Sequence, residues 1–266
     1  MNAPAMQPSR TVAPDTISLA ACIPVPGFGI LPVNAYVVRA AEPMLIDTGL
    51  ASLREPFLEQ LFAAVDPADL RWIWLTHVDA DHVGNLAAVL ERAPNARVIT
   101  TYLGMGKMGM HGLPLDRTWL LNPGQELSLG DRTVSAFRPP VFDAPETTAL
   151  LDRKTGACFS ADCFGALLQE PVESASDIAA GALDEGVIGW TCVDAPWLHQ
   201  VDPAKFDQAL QAFNAMAPGI VLGSHLPPAE NMTERLTATL RRALTAPPFV
   251  GPDQRALESL FAAPAA

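Results

Sequence analysis

One junction constrains this chain more than anything else in it. The run Arg71-Trp72-Ile73-Trp74-Leu75-Thr76-His77 leads directly into Val78-Asp79-Ala80-Asp81-His82-Val83-Gly84-Asn85. A stretch as apolar as WIWL reads as a short buried strand. A loop at the carboxyl end of such a strand is where α/β folds place their sites. Two imidazoles and two carboxylates converging there are expensive to desolvate unless a cation holds them. The bland alternative, an acidic surface loop, fits poorly with the buried strand and with small Ala80 and Gly84, which leave room for a close approach. His77, Asp79, Asp81 and His82 are too near in sequence to address one small ion in good geometry. Alternate residues of a turn can instead serve two neighbouring ions, and further ligands must then come from distant segments.

The rest of the chain supplies a frame for such a loop. Strands are expected at 34–38, 44–49, 71–77 and 97–103, with an amphipathic helix at 53–65 between the second and third. A helix opens at Asp81 or beside it and stops before Pro94. Shorter strands follow near 126–129, 132–137, 147–151 and 156–160, separated by Gly130-Asp131 and by 153–156. Helices near 174–190, 203–216 and 231–245 surround a last strand at 219–225. Strands precede helices in each half, which predicts layered α/β rather than a barrel.

With 266 residues, of which 49% are hydrophobic and 17% charged, the chain can bury a substantial core. A single domain over 1–266 is expected, with its core at about 16–245, a loose polar tail through Pro14 and a fraying FAAPAA end. The formal charge of −12 opposes binding to nucleic acid or anionic membranes. The apolar segment 16–33 is interrupted by three prolines and two glycines and lacks a basic leader. It reads as neither a membrane span nor a signal peptide, so a cytoplasmic protein is expected. Cys22, Cys158, Cys163 and Cys192 form no CxxC pair and read as small buried hydrophobes.

THVDADH resembles the THxHxDH signature of the metallo-β-lactamase superfamily, and Leu45-Ile46-Asp47-Thr48-Gly49 is similar to the strand end that those proteins carry upstream. With an acid at Asp79, the motif is closer to the HxExDH variant of the flavodiiron proteins and related oxygen-binding di-iron proteins. The distant ligands of that pattern find counterparts in Asp143, Asp162 and His225. His82 and Asp143 are 61 positions apart, Asp143 and Asp162 19, and Asp162 and His225 63, intervals that resemble the family's. CFSADCFGA around Asp162 and LGSHLPP around His225 are similar as well. One departure is Asp143-Ala144-Pro145-Glu146, where the family has a segment like HWPD. Either Asp143 ligates in place of an imidazole, or water fills that position.

The resemblance implies a four-layer αββα sandwich with two metals at one edge, between the sheets. It places His77, Asp79 and Asp143 on the first metal, Asp81, His82 and His225 on the second, and Asp162 between them, with Asp47 holding the histidine loop by hydrogen bonds. So many carboxylates favour iron, with manganese or zinc as alternatives. Three functions stay open: a di-iron protein that binds or reduces O2 or a related small oxidant, as an enzyme or as a sensor; a metal-dependent hydrolase of a small ester, thioester or lactone; and a metal-free binding protein. A reductase would need an external electron donor, and by analogy with the family a homodimer is expected.

Other features carry less. Gly104-Met105-Gly106-Lys107-Met108-Gly109 fits GxGxxG and follows a strand, but it is not the first βα turn, Gly112 and Pro114 break the helix after it and no clear second strand ending in an acid follows, so it is expected as a flexible loop by the site mouth. His111 and His199 are expected outside the chemistry, His111 being the nearer to it. Cys158 and Cys163 read as core rather than thiolate ligands, and Trp190 and Trp197 as core before pocket wall or dimer seam.

Overall fold

The computed structural model describes residues 3–262. In chain order the elements are β1 (Ala5–Met6), β2 (Arg10–Ala13), β3 (Thr16–Val25), β4 (Gly29–Val38), β5 (Met44–Ile46), α1 (Arg54–Ala64), β6 (Trp72–Trp74), α2 (Ala80–Val83), α3 (Leu86–Arg92), β7 (Arg97–Thr100), α4 (Tyr102–Met110) and β8 (Thr118–Leu120). The second half adds β9 (Glu126–Ser128), β10 (Thr133–Phe137), β11 (Ala149–Asp152), β12 (Ala157–Phe159), α5 (Ala180–Asp194), α6 (Pro203–Ala215), β13 (Ile220–Leu222), β14 (Ala229–Glu230), α7 (Thr233–Ala243) and α8 (Gln254–Ala262).

Two sheets result. The first runs β1-β3-β4-β5-β6-β7-β8, with β2 also on β3, and the second runs β14-β13-β12-β11-β10-β9. Strands β5 to β8 are parallel, as the intervening helices require. Alternation along each strand then sorts the side chains into layers. Met44, Ile46, Trp72 and Trp74 face inward and meet Val134, Leu150, Phe159 and Leu222 of the second sheet. Leu45, Ile73 and Val98 point outward onto Phe57, Leu61, Leu86 and Val89. Cys158 and Val221 turn the other way, onto Leu183, Phe206, Phe213 and Leu240. The architecture is the expected four-layer αββα sandwich.

At the end of the sandwich that holds the β4–β5 turn, Arg132 ties the two sheets together. Its guanidinium reaches Asp15 at 2.8 Å, Asp131 at 2.9 Å and Asp152 at 3.2 Å. Asp131 in turn accepts from the Ala41 amide at 2.9 Å.

Several expectations are corrected. The presumed polar tail supplies β1 and β2, both paired to β3. Apolarity did not signal this, because these strands are recruited by the unpaired edge of a ten-residue neighbour. The segment 16–33, given no structure in advance, forms most of the long β3–β4 hairpin, and β8 was likewise unforeseen. The single helix expected after Asp81 is two, α2 and α3, broken at Gly84-Asn85. The expected helix 174–190 begins as a 3-10 turn at Ala175–Asp177 capped by Ser174, and α5 proper starts at Ala180. The Gly104–Gly109 segment is no loop: it lies in α4, where Thr101 caps the Gly104 amide and Gly104 packs on Thr100. Three glycines disfavour a helix locally, and close packing on β7 overrides them. The final Ala263–Ala266 of the presumed fraying end lie outside the described residues. Among the described residues, no helix is long and apolar enough to cross a membrane, and all four cysteines are free.

Candidate metal centre

The motif loop leaves β6 at the edge between the sheets and is held by the end of β5. Asp47 stands in the left-handed region at φ 57° and is buried. Its carboxylate accepts from the Thr76 amide and the Thr76 hydroxyl, both at 2.8 Å, and lies 2.9 Å from His82 Nδ1. Because the Thr76 hydroxyl donates to Asp47, it accepts from His77 Nδ1 at 3.0 Å. His225 Nδ1 donates to the Pro32 carbonyl at 2.7 Å. All three imidazoles are thereby anchored through Nδ1, and each turns its Nε2 to the same space.

That space is lined as a cation site would be. His77 Nε2, His82 Nε2 and Asp162 Oδ1 are buried without any hydrogen-bond partner, a costly condition in a protein interior unless something else binds there. Asp162 lies 3.6 Å from His77 Nε2, and 3.3 Å from both His82 Nε2 and His225 Nε2. Asp81 lies 3.5 Å from both His82 and His225. Three groups have ligand atoms within 4.8 Å of one another: His77, His82 and Asp162; Asp81, His82 and His225; and His77, Asp79 and Asp143. All seven residues singled out in the sequence come together, with Asp162 touching an imidazole of each half.

Burial by itself would raise the Asp162 carboxyl, but His225, His77 and His82 outweigh it and hold it far below the carboxylate range. Burial would lower His225, yet Asp162 and Asp81 carry it up to about 9, and Asp162 and Asp47 likewise raise His82. Without metal, His82 and His225 therefore hold their protons more tightly than an ordinary histidine. Metal loading at pH 7 is expected to release protons and to tighten as pH rises toward 9. Titration calorimetry in two buffers of different ionisation heat checks this; equal heats in both would refute it.

The loops that deliver distant ligands are tied into the fold. Asn34 Nδ2 donates to the Gly223 and Leu226 carbonyls at 2.9 and 2.8 Å, and the Tyr36 hydroxyl to Gly223 at 2.8 Å, so β4 fixes the His225 turn. Asp162 sits in a turn with positive φ at Ala161 and Phe164. The Trp197 indole donates to the Phe142 carbonyl at 2.8 Å, bracing the Asp143 loop, and Thr147 Oγ1 donates to Asp143 at 3.2 Å. The close approach expected at Gly84 is made by the chain itself: a Cβ there would lie 2.4 Å from both Ala51 N and Gly49 O. Gly84→Ala is expected to cost about 1–3 kcal/mol and to weaken metal binding by moving α2 off β5. Thermal melts with and without metal would show it, and an unchanged melt would refute it.

Four residues of this neighbourhood were not anticipated. Trp190, expected mainly as core, stacks against His225 with ring centroids 4.7 Å apart. Asp194, one helical turn on, is pushed up to about 8 by burial and by Asp162 and Asp143. Glu146 is wholly buried, and Lys107 of α4 reaches it at 2.6 Å. Burial lowers Lys107, but Glu146, Asp79 and Asp143 more than compensate, holding it above an ordinary lysine. The two acids lie near candidate ligands in sequence or in the fold, but no local pattern marks them. His111 is exposed at the end of α4, and His199 lies in the Pro196–Gln200 turn; neither joins the cluster. Cys158 and Cys163 are core, as expected.

Comparison with known proteins agrees with this geometry. Residues 28–142 match the metallo-beta-lactamase superfamily. The type A flavoprotein of Rhodobacter capsulatus is 33% identical over 144 residues, covering 50% of this chain and 31% of that protein. A nitric oxide reductase of Moorella thermoacetica is 26% identical over 155 residues, covering 56% of this chain and 38% of its own. The rubredoxin oxygen:oxidoreductase structure from Desulfovibrio gigas superposes with a TM-score of 0.78 at 18% identity, covering 89% of this chain and 61% of that one. At that identity the superposition speaks for the fold. Residues 28–142 thus resemble a metallo-β-lactamase domain, and the homologues and structural neighbours found lie among the flavodiiron proteins. It spans about a quarter to a third of the length of the first curated relatives.

Proposed function

We propose that this chain holds two metal ions, iron in the working protein, and that it binds or reduces O2, NO or a related small oxidant with electrons from a separate donor. The observation that carries this reading is the composition of the cluster: three Nδ1-anchored imidazoles and four carboxylates in three groups that overlap at His77 and His82, with Asp162 in the middle one. In this reading His77, Asp79 and Asp143 hold one ion, Asp81, His82 and His225 the other, and Asp162 bridges. Oxygen-rich ligation of this kind suits iron or manganese better than zinc. Names among the relatives point the same way, a nitric oxide reductase and a rubredoxin oxygen:oxidoreductase.

Iron bound here supplies one-electron chemistry toward a small diatomic ligand. The chain's own part is to hold the cluster and dress its surroundings. Asp47, Thr76 and the Pro32 carbonyl fix the imidazoles, so that Nε2 always faces inward. Trp190 covers His225 on one side and limits what can approach it. Asp194, which burial, Asp162 and Asp143 push up to about 8 in the metal-free site, is a carboxyl near the cluster that can carry a proton.

The test is elemental analysis of protein purified without added metal, with visible spectra before and after anaerobic reduction and return to air. About two irons per chain, with absorbance that bleaches and recovers, is the expected result. Zinc, a silent spectrum and turnover of an ester or lactone without reductant would replace this reading by the hydrolase.

A further inference from the structure

The two halves of the cluster are unlike. Asp81, His82, His225 and Asp162 include two imidazoles and lie mostly inside, whereas the half built on His77, Asp79 and Asp143 opens to solvent and has one imidazole. A lysine stands at this outer half. Lys107 Nζ is 2.6 Å from Glu146 Oε1 and 3.9 Å from Asp79 Oδ1, and Asp143 lies within its electrostatic reach. Its anchor is firm, because the Glu146 side chain is 0% exposed and its Oε2 has no hydrogen-bond partner. A carboxylate so placed is strongly destabilising without a cation beside it. Withdrawing the ammonium into solvent when a second cation arrives would leave that buried carboxylate unpaired. Arg138, bonded to the Thr147 carbonyl, acts on Glu146 from further away and does not replace it.

We propose that Lys107 is a positioning residue for the outer metal: pinned by Glu146, its ammonium draws Asp79 and Asp143 together in the metal-free protein and opposes the second ion for the same carboxylates. This rests on the two-metal reading above. The consequence is stepwise loading. The inner position fills first, and the outer position fills only at higher metal concentration, so that its occupancy responds to supply while the inner ion stays bound. A like charge held a few ångströms from a divalent ion lowers the affinity at the outer position relative to the inner one, even with the screening of a half open to solvent.

Mn2+ alone, titrated into metal-stripped full-length protein and followed by the resonance of the free ion, tests this. Wild type is expected to bind in two separated steps. Lys107→Gln is expected to tighten the second step by at least about tenfold with little change in the first, while lowering the melting temperature of the metal-free protein. Lys107→Arg, which keeps the charge, should return both values toward wild type. A lower melting temperature with an unmoved second step would make Lys107 merely a partner for Glu146 and overturn the proposal, and a weakened second step would reverse its sign. If wild type and Lys107→Gln both bind one ion at saturation, the two-metal reading itself fails and takes this inference with it. If the second step exists but is unmoved, that reading survives without it.

Discussion

Asp162→Ala is expected to yield a folded chain that retains neither metal, whereas Asp143→Ala retains one. Asp162 is within 3.6 Å of His77, His82 and His225, and so serves both halves. Asp143 belongs to a single group at the solvent edge. Removing Asp162 would also leave three buried imidazoles with no carboxylate at their centre. His225, held at about 9, and His82, also raised, owe those shifts in large part to the same carboxylate, so the variant loses at once the ligand shared by both halves and the charge that orders these two imidazoles. Metal content after dialysis, compared for the two variants, decides the matter. Equal loss from both would mean that Asp162 does not join the halves. An unchanged content in Asp143→Ala would mean that water, not this carboxylate, fills the outer position.

The second large effect lies away from the metals. Arg132→Met is expected to cost about 3–5 kcal/mol of folding stability, because it strips a buried carboxylate of its cation. Asp152 is 1% exposed at its side chain, and besides Arg132 it has only the Lys154 amide and the Thr155 hydroxyl as donors. The same guanidinium joins Asp15 of the first sheet to Asp131 of the second, so its loss loosens the sandwich at that end. Metal stoichiometry should not change, since the cluster sits at the opposite edge. Urea unfolding followed by fluorescence would measure the loss, and a change under 1 kcal/mol would show that solvent reaches the triad.

The chemistry was legible because ligand side chains declare themselves whatever surrounds them. His77, Asp79, Asp81 and His82 stand in one turn after an apolar strand, and Asp143, Asp162 and His225 follow at intervals that resemble a known pattern. The layers were legible for a related reason: strands such as Met44-Leu45-Ile46 are apolar at every position, so they must be covered on both faces.

What the sequence by itself determined is therefore the inventory of candidate ligands and the class of fold that can bring them together. Tertiary structure decided the rest, through contacts with no local signal. β1 and β2 exist because β3 offers an open edge, and α4 is a helix because Gly104 packs on Thr100. Lys107 reaches Glu146 across 39 positions of chain. A lysine on a helix and a glutamate in a loop look like any solvated charges in one dimension, and only the fold, by burying the glutamate, turns them into a pair beside the metal centre.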